Sequence, residues 1–382
     1  MRFAIVINRL FDIEGNCLTI GGIQTYLINL SKVIHENYGT RPTIYQAAKR
    51  DFFLRLDHCD VRGLGNGTGR FNSKALVRRI TKFEKPGTLL IWGSDQYSHR
   101  QRFFRSINIQ HGIGFDVEAT ETAFKRTFVK YKAGWFYKLL QRRRALSLSR
   151  NGDITVCVDY NFPNWARTFS VTEAEKARLK VIPNFTSSIT PVPRKSETTR
   201  VLIARRFVRR RGIGIALSAV EALLGKFSNI HFTFAGDGPD KEQIETLRKM
   251  HPNRIEITKY APEKSLEFHS KFDVAIIPSI GSEGTSLSLL EAMGAGCFPI
   301  ATNVGGLTNI LIDRFNGLIV EPNSLAIVEA VTAFQTRTVD TEKIRAAAVA
   351  TALNGFNQDI WAQRWTKVIN ELLRAPRGQS EI

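Results

Sequence analysis

The chain has 382 residues, of which 43% are hydrophobic and 23% are charged, and its formal net charge at pH 7 is +19. This length and composition allow two globular domains with separate cores, and they exclude an intrinsically disordered chain. Residues 1–190 carry 30 Lys+Arg against 15 Asp+Glu, so we expect the N-terminal half to face an anionic partner such as phospholipid, a phosphorylated acceptor or nucleic acid.

The first residues, Met1 to Arg9, form an apolar run that is too short for a signal peptide and predicts a first strand. No apolar stretch approaches the roughly 20 residues that span a bilayer. The four cysteines are scattered without a Cys-x-x-Cys pair, which argues against a disulfide framework or a metal site and favours a reducing compartment.

Apolar runs alternate with helical patterns along the whole chain, which predicts an α/β fold with two parallel sheets wrapped by helices. A segment rich in Ser, Thr and Pro, 186–199, predicts a boundary between domains 1–190 and 191–356. Ligands are expected between the domains, at the C-terminal ends of both sheets. The predicted strands are 2–8, 42–47, 88–92, 106–110, 153–158, 200–205, 230–235, 254–258, 272–278, 297–302 and 317–320.

A long loop after the first strand ends in Gly21-Gly22, and a helix is predicted from there to about His35. Glycines at a helix N-terminus let the backbone approach a phosphate or sugar closely, although most such pairs are simple turns. The fingerprint G-x-G-x-x-G is missing, which argues against an NAD enzyme.

His111 follows the predicted strand 106–110 and precedes Gly112. A lone histidine is more often structural, but loop residues at this edge of a sheet are often functional. Asp116, a few residues further on, is a candidate for acceptor binding.

The segment 121–150 combines an aromatic stripe at helical spacing with basic flanks. Such a helix can lie in a membrane interface, or its stripe can pack on the first domain while the charges are solvated, and the pattern alone does not separate the two. Single-stranded nucleic acid can also bind aromatic side chains that lie among basic residues. No nucleic-acid motif is present, so nucleic acid is not expected as a partner. The candidate acceptor or membrane residues are Asp116, Lys125, Arg126, Lys132 and Trp135.

The most informative stretch follows the predicted strand 272–278, where Glu283 and Glu291 lie eight residues apart. A helix is expected to start near Thr285, whose hydroxyl suits an N-cap. Its N-terminus could hold a diphosphate, while the two carboxylates accept hydrogen bonds from sugar hydroxyls. The alternative is an ordinary amphipathic helix, which the preceding strand and the following Gly294-Ala295-Gly296 disfavour.

A cluster of arginines, 205–211, follows the predicted strand 200–205. Two guanidinium groups and a helix N-terminus can together stabilise a bound diphosphate without metal. No Asp-x-Asp is present, so neither a metal nor another cofactor is expected.

These motifs closely resemble the E-x7-E signature of retaining glycosyltransferases of family 4, which have the two-domain GT-B fold of Rossmann-like domains. The resemblance implies that Glu283 faces the donor sugar and Glu291 binds the ribose. Arg206 matches the family's arginine, Arg211 stands where a lysine is usual, and Arg205 replaces a glycine. The same resemblance assigns the diphosphate to the loop and helix start at Gly284, Thr285, Ser286 and Leu287, the family's glycine loop to Gly21 and Gly22, and a place near the donor sugar to His111.

The resemblance is specific over 178–322 and loose over 1–177. It also implies that a closing helix, predicted at 357–373 with Trp361 and Trp365 in its apolar face, packs back on the N-terminal domain.

The resemblance implies transfer of a hexose or N-acetylhexosamine from a nucleotide-diphosphate sugar, with UDP favoured and GDP-mannose as the alternative donor. The basic first domain favours a glycolipid, lipopolysaccharide or polysaccharide acceptor, and a cytoplasmic protein bound at the inner face of an anionic membrane. Two alternatives stay open: a nucleotide-sugar epimerase or hydrolase of the same fold, and a non-catalytic protein that binds membrane or nucleic acid.

Overall fold

The computed structural model describes residues 1–19, 21–113, 134–169, 172–187, 189, 197–281 and 283–375. The chain divides into two compact units. One contains the described residues of Met1–His111, Ala119–Ile182 and Trp361–Ile382, and the other those of Gly112–Glu118 and Pro183–Ile360. None of the described helices combines the length and apolarity that a membrane span requires.

The first unit contains an eight-stranded sheet with the order β3-β4-β2-β1-β5-β6-β7-β8. All neighbouring strands are parallel except β3 and β4. The strands are β1 (Phe3–Val6), β2 (Thr43–Ala48), β3 (Phe52–Arg55), β4 (Asp60–Gly65), β5 (Leu89–Trp92), β6 (Arg105–Gln110), β7 (Ile154–Cys157) and β8 (Leu179–Val181).

The central strands of this sheet are apolar and fully buried, as expected for parallel strands covered on both faces. In the middle of the sheet Ile5 pairs with Ile44 on one side and Ile91 on the other. Strands β3, β4 and β8 were not predicted, because β3 and β8 are short edge strands and β4 carries Asp60, Arg62 and two glycines.

The helices of the first unit connect these strands. Because β8 and the buried Ile182 continue the first sheet, the division of the chain after Ile182 falls earlier than the boundary expected at residue 190. The helices are Gly22–Tyr38, Ser73–Ile80, Gly134–Ser149, Asn161–Ala166 and Glu173–Arg178, with a 3-10 turn at Asp95–Tyr97.

The second unit contains a six-stranded parallel sheet with the order β11-β10-β9-β12-β13-β14. The chain therefore runs outward from β9 in one direction, then returns and continues from β12 in the other, which is the doubly wound arrangement. The strands are β9 (Thr199–Ala204), β10 (Ile230–Ala235), β11 (Ile255–Thr258), β12 (Val274–Ile277), β13 (Phe298–Thr302) and β14 (Leu318–Val320).

Two hydrophobic clusters cover the two faces of this sheet, because successive residues of a strand point to opposite sides. Val201 and Ile203 of β9 belong to one cluster, and Leu202 and Ala204 belong to the other. The surrounding helices are Ile213–Lys226, Lys241–Met250, Ser265–His269, Leu287–Gly294, Ser324–Gln335 and Thr341–Gly355, with 3-10 turns at Arg209–Arg211, Pro262–Lys264 and Gly305–Asn309.

The last described helix is Gln358–Arg374, close to the predicted 357–373. From Trp361 onward it groups with the first unit. The buried Trp365 donates a hydrogen bond from Nε1 to Tyr26 Oη at 2.8 Å, and Tyr38 Oη donates to Asn370 Oδ1 at 2.9 Å. These contacts attach the helix to Gly22–Tyr38.

Replacing Trp365 tests how much this attachment contributes to stability. We expect Trp365→Ala to lower the free energy of unfolding by about 3–5 kcal/mol, because it removes a fully buried indole. Trp365→Phe keeps most of the packing but loses the hydrogen bond to Tyr26, so its cost should be smaller. Urea unfolding measures both, with Leu325→Ala, an exposed position, as the control. A Trp365→Ala loss no larger than that of the control would contradict the packing described.

Candidate active site

The candidate site of the second unit lies where its strand order reverses, between β9 and β12. Arg205 follows β9 directly, and Ser279 and Glu283 follow β12. In open α/β sheets ligands bind outside the carboxyl ends of the strands at this point, because the loops of adjacent strands diverge there.

Glu283 is the centre of the site, and its side chain is only 6% exposed. Its Oε1 forms ion pairs with the guanidinium groups of Arg205 and Arg211. Ser279 Oγ also donates a hydrogen bond to Oε1, at 2.6 Å. A charged carboxylate is rarely buried unless it is paired in this way, so these contacts offset the burial of Glu283 and fix its orientation.

Close backbone contacts hold the loop that carries Glu283. The amide of Gly306 donates to the Glu283 carbonyl at 2.8 Å. Gly305 has a φ of 54°, and a side chain there would collide with the backbone of Glu283. From the other side the buried Asn184 donates from Nδ2 to the Thr285 carbonyl.

The helix after this loop begins at Leu287, and its N-cap is Ser286, whose Oγ accepts from the Leu289 amide at 3.4 Å. The helix therefore starts close to the expected position near Thr285, but its cap is Ser286 and not Thr285. Thr285 is buried in the loop together with the half-buried Gly284. By helix geometry the amides of Leu287 and Ser288 have no intrahelical partner, and with the helix dipole they form a potential anion site.

Glu291 lies in the second turn of this helix and is partly buried. Glu283 is in the preceding loop, so only Glu291 belongs to the helix itself. Burial and then the Glu291 charge raise the pKa of Tyr260, and the same carboxylate favours the charged form of Arg205. Glu291 is therefore electrostatically close to the Glu283 cluster.

The arginines of this loop differ in burial. Arg206, a predicted donor-binding residue, has an exposed side chain, whereas Arg205 is buried and pairs with Glu283. Arg211 lies at the edge of the cluster, with its side chain 28% exposed. Burial, followed by the charges of Arg205, Arg210 and Arg206, lowers the pKa of Arg211, so a bound anion would relieve this crowding of positive charge.

Two residues of the cluster were missed, Arg205 and Ser279. The prediction treated Arg205 only as a substitute for a glycine, although its place directly after a buried strand was a usable signal. Ser279 follows Pro278 at the end of β12 and had no motif of its own; its Oγ accepts from Arg205 Nη2 at 2.9 Å.

Gly21 and Gly22 lie at the corresponding edge of the first unit, after β1. The helix Gly22–Tyr38 begins at Gly22, which is exposed, and Gly21 is its N-cap. The Gly21 backbone is extended, with a φ of 178°, so the position does not demand glycine for its conformation. What the pair offers is an uncovered helix N-terminus.

His111 follows β6 at the same edge. Its Nε2 bonds the Gly93 carbonyl at 2.8 Å, which makes Nε2 the protonated nitrogen, and its ring meets Tyr26 edge-on at 5.4 Å between centroids. Burial lowers its pKa to about 4, so the imidazole is neutral at physiological pH. Its Nδ1 can then accept a hydrogen bond from a hydroxyl.

Of the candidate acceptor or membrane residues, Asp116, Lys125, Arg126 and Lys132 lie outside the described residues. Trp135 is described and is 70% exposed. It belongs to the helix Gly134–Ser149, in which no residue is buried.

Comparison with known proteins gives the site a family context. Residues 186–349, which include the whole Glu283 cluster, match the family model described as glycosyl transferases group 1. A curated relative from Arabidopsis thaliana, one of the proteins that make up its phosphatidylinositol N-acetylglucosaminyltransferase, is 23% identical over 185 residues, or 47% of this chain and 41% of that protein. The chain spans less than half the length of the curated relatives it matches.

Two solved structures match almost the whole chain. The sucrose-phosphate synthase of Thermosynechococcus elongatus has a TM-score of 0.77 and 17% identity, covering 98% of this chain and all of that one. The Anabaena protein HepE, in complex with UDP and glucose, has a TM-score of 0.69 and 15% identity, covering 97% and 99%. The predicted two-domain GT-B fold is confirmed, and the comparisons support a group 1 glycosyltransferase.

The low pKa of His111 makes stability depend on pH. The unfolded chain takes up this proton near pH 6.5 and the folded protein only near pH 4. The contribution of His111 to stability is therefore present above pH 6.5 and is lost as pH falls from 6.5 towards 4, by up to about 3 kcal/mol.

The test is urea unfolding of the natural protein and of His111→Gln between pH 4 and 7.5. Burial raises the pKa of Asp95 to about 7, which gives the opposite slope in both proteins, so the difference between them isolates His111. A constant difference across this range would contradict the neutral, half-buried imidazole.

Proposed function

We propose that this chain is a retaining glycosyltransferase that transfers a hexose or N-acetylhexosamine from a nucleotide-diphosphate sugar. The observation that carries this proposal is the buried Glu283, held by two guanidinium groups beside a helix N-terminus at the reversal point of the second sheet. A carboxylate next to an anion site suits a ligand that carries hydroxyls and a diphosphate together.

Each group has a role in this proposal. The amides of Leu287 and Ser288, with Arg211, neutralise the charge that develops on the leaving diphosphate. Glu283 accepts a hydrogen bond from a hydroxyl of the donor sugar, and Glu291 accepts hydrogen bonds from the ribose hydroxyls. The leaving phosphate oxygen takes the proton of the acceptor hydroxyl, so no separate general base is assigned. Because cationic side chains and the helix supply the positive charge, we expect catalysis without a divalent metal.

UDP is the favoured nucleotide, and GDP-mannose is the alternative donor. HepE, whose fold this chain shares, was solved with UDP and glucose, and the Arabidopsis relative is named for N-acetylglucosamine. These names guide the choice of donors to test first.

The proposed acceptor is a glycolipid or another lipid-linked saccharide at an anionic membrane surface. The helix Gly134–Ser149 supports this, because it buries none of its residues and exposes Trp135, Phe136 and Leu140 next to the basic run 142–144. Basic side chains attract an anionic lipid surface, and the exposed apolar side chains beside them can enter its interface. The Arabidopsis relative is also named for phosphatidylinositol, which is a phospholipid.

Donor binding can be measured by a thermal-shift panel of UDP, GDP, ADP, CMP and their sugars, each with and without EDTA. A ligand at about 100 times its dissociation constant should stabilise the protein by roughly 2.7 kcal/mol. We expect one nucleoside diphosphate to give this shift regardless of EDTA. Glu291→Ala should reduce the shift, whereas Glu329→Ala, at an exposed glutamate of another helix, should not.

The absence of any shift would contradict the proposed donor site and favour a non-catalytic basic binding protein. A shift that disappears with EDTA would contradict only the metal-free mechanism. Product analysis of the sugar nucleotide without and with acceptor separates the remaining alternative, since an epimerase yields an equilibrium mixture of two sugar nucleotides and a dedicated hydrolase is not accelerated by acceptor.

Membrane binding can be measured by flotation with vesicles of phosphatidylcholine alone or with phosphatidylserine. We expect binding only to the anionic vesicles, and the triple change of Arg142, Arg143 and Arg144 to Ala should weaken it by roughly 3 kcal/mol, or about 1 kcal/mol per basic residue. The matched control is the double change of Arg248 and Lys249, exposed on the second unit, to Ala. Equal binding of both variants would show that the exposed helix is not the membrane contact.

A further inference from the structure

Arg205 is the least expected member of the Glu283 cluster. It occupies the position where the resembled family has a glycine, it follows β9 directly, and it is only 9% exposed. A charged side chain is rarely buried to this extent unless it is paired, so its contacts decide its role.

The guanidinium group of Arg205 joins three groups. It forms an ion pair with Glu283 Oε1, Nη2 donates to Ser279 Oγ at 2.9 Å, and Nη1 donates to Ser286 Oγ at 3.0 Å. Ser279 in turn donates to the same carboxylate oxygen. The planar fork of arginine can make these contacts together, which the single ammonium of a lysine cannot do.

The contacts of Glu283 converge on one oxygen of its carboxylate. The ion pairs with Arg205 and Arg211 and the hydrogen bond from Ser279 all reach Oε1. Arg205 is the more deeply buried of the two arginines, with its side chain 6% exposed against 28% for Arg211. Arg205 is therefore the fixed partner, and Arg211 is the one that an incoming anion can reach.

A glycine-rich turn fixes the backbone at Arg205. Gly236, with a φ of 155°, packs so closely that a side chain there would collide with the Arg205 carbonyl. The Arg205 amide donates a hydrogen bond to the Ala235 carbonyl at 3.0 Å. The guanidinium thus projects from a rigid strand end towards Glu283.

We propose that Arg205 is a positioning residue, which holds Glu283 by Oε1 and the N-cap Ser286 in one arrangement. The Glu283 carboxylate is thereby held in the orientation in which it meets a hydroxyl of the donor sugar, and Arg211 is left to bind the diphosphate. This inference rests on the proposed glycosyltransferase function. Arg205 acts through Glu283 and does not itself contact the donor.

The first experiment does not depend on the donor. It measures the unfolding of Arg205→Met, Glu283→Gln and the double variant. Removal of one partner leaves the other buried without its ion pair. We therefore expect the loss of stability in the double variant to be smaller than the sum of the losses in the two single variants. Arg209→Met, an exposed arginine of the same loop, is the matched control. Additive effects of the two changes would overturn the pairing of Arg205 with Glu283.

The second experiment separates positioning from a purely structural role. It measures acceptor-independent hydrolysis of UDP-glucose, UDP-N-acetylglucosamine and GDP-mannose, and binding of UDP and GDP by calorimetry, on folded protein. Because a small misplacement of a group that contacts substrate can cost about 100-fold in rate, we expect Arg205→Met to lower kcat by at least about 10-fold. The dissociation constant of the nucleoside diphosphate should change by less than about 3-fold, since other groups bind it.

The outcomes are distinguishable. No nucleotide binding and no hydrolysis by the natural protein would overturn the proposed function, and with it the role of Arg205. Normal hydrolysis by folded Arg205→Met would overturn the positioning role alone. In a Glu283→Gln background the Arg205→Met change should have no further effect on kcat, and an undiminished effect would show that Arg205 acts independently of Glu283. Arg205→Lys should recover only part of the rate, because it keeps the charge without the fork.

Discussion

The candidate site depends on the cost of burying a carboxylate. An isolated ionised glutamate cannot be buried without a large loss of solvation, and Glu283 is buried together with the cations that compensate it. This requirement explains why Arg205 and Ser279 converge on one oxygen, and why glycines pack against the backbone of both charged residues. These contacts hold the Glu283 carboxylate in one orientation, which is what preorganised recognition of a sugar requires.

The topology of the second sheet makes this convergence possible. Strands β9 and β12 are neighbours in space although they are separated by two strands and their helices in the chain. Their carboxyl ends therefore bring Arg205 and Glu283 together across a long sequence separation. The helix that follows contributes its N-terminus at the same edge.

Much of this could be predicted from sequence, because buried parallel strands are continuous apolar runs and the Glu283–Glu291 segment follows one of them. Local sequence could not choose between Thr285 and Ser286 as the cap, since both have a suitable hydroxyl. It also could not decide between Arg205 and Arg206, because successive residues at a strand end point to opposite sides and only tertiary packing decides which one is buried. The edge strands β3 and β8 were missed because strands of only four and three residues are too short to be distinguished from loops.

The central claim is that the Glu283 cluster and the adjacent helix N-terminus bind a nucleotide sugar. A crystal structure of the protein with UDP tests this most directly. The account predicts the diphosphate on the amides of Leu287 and Ser288 and on Arg211, with Arg205 still paired to Glu283. A UDP molecule bound away from this helix N-terminus, or a Glu283 released from Arg205 in the complex, would contradict it.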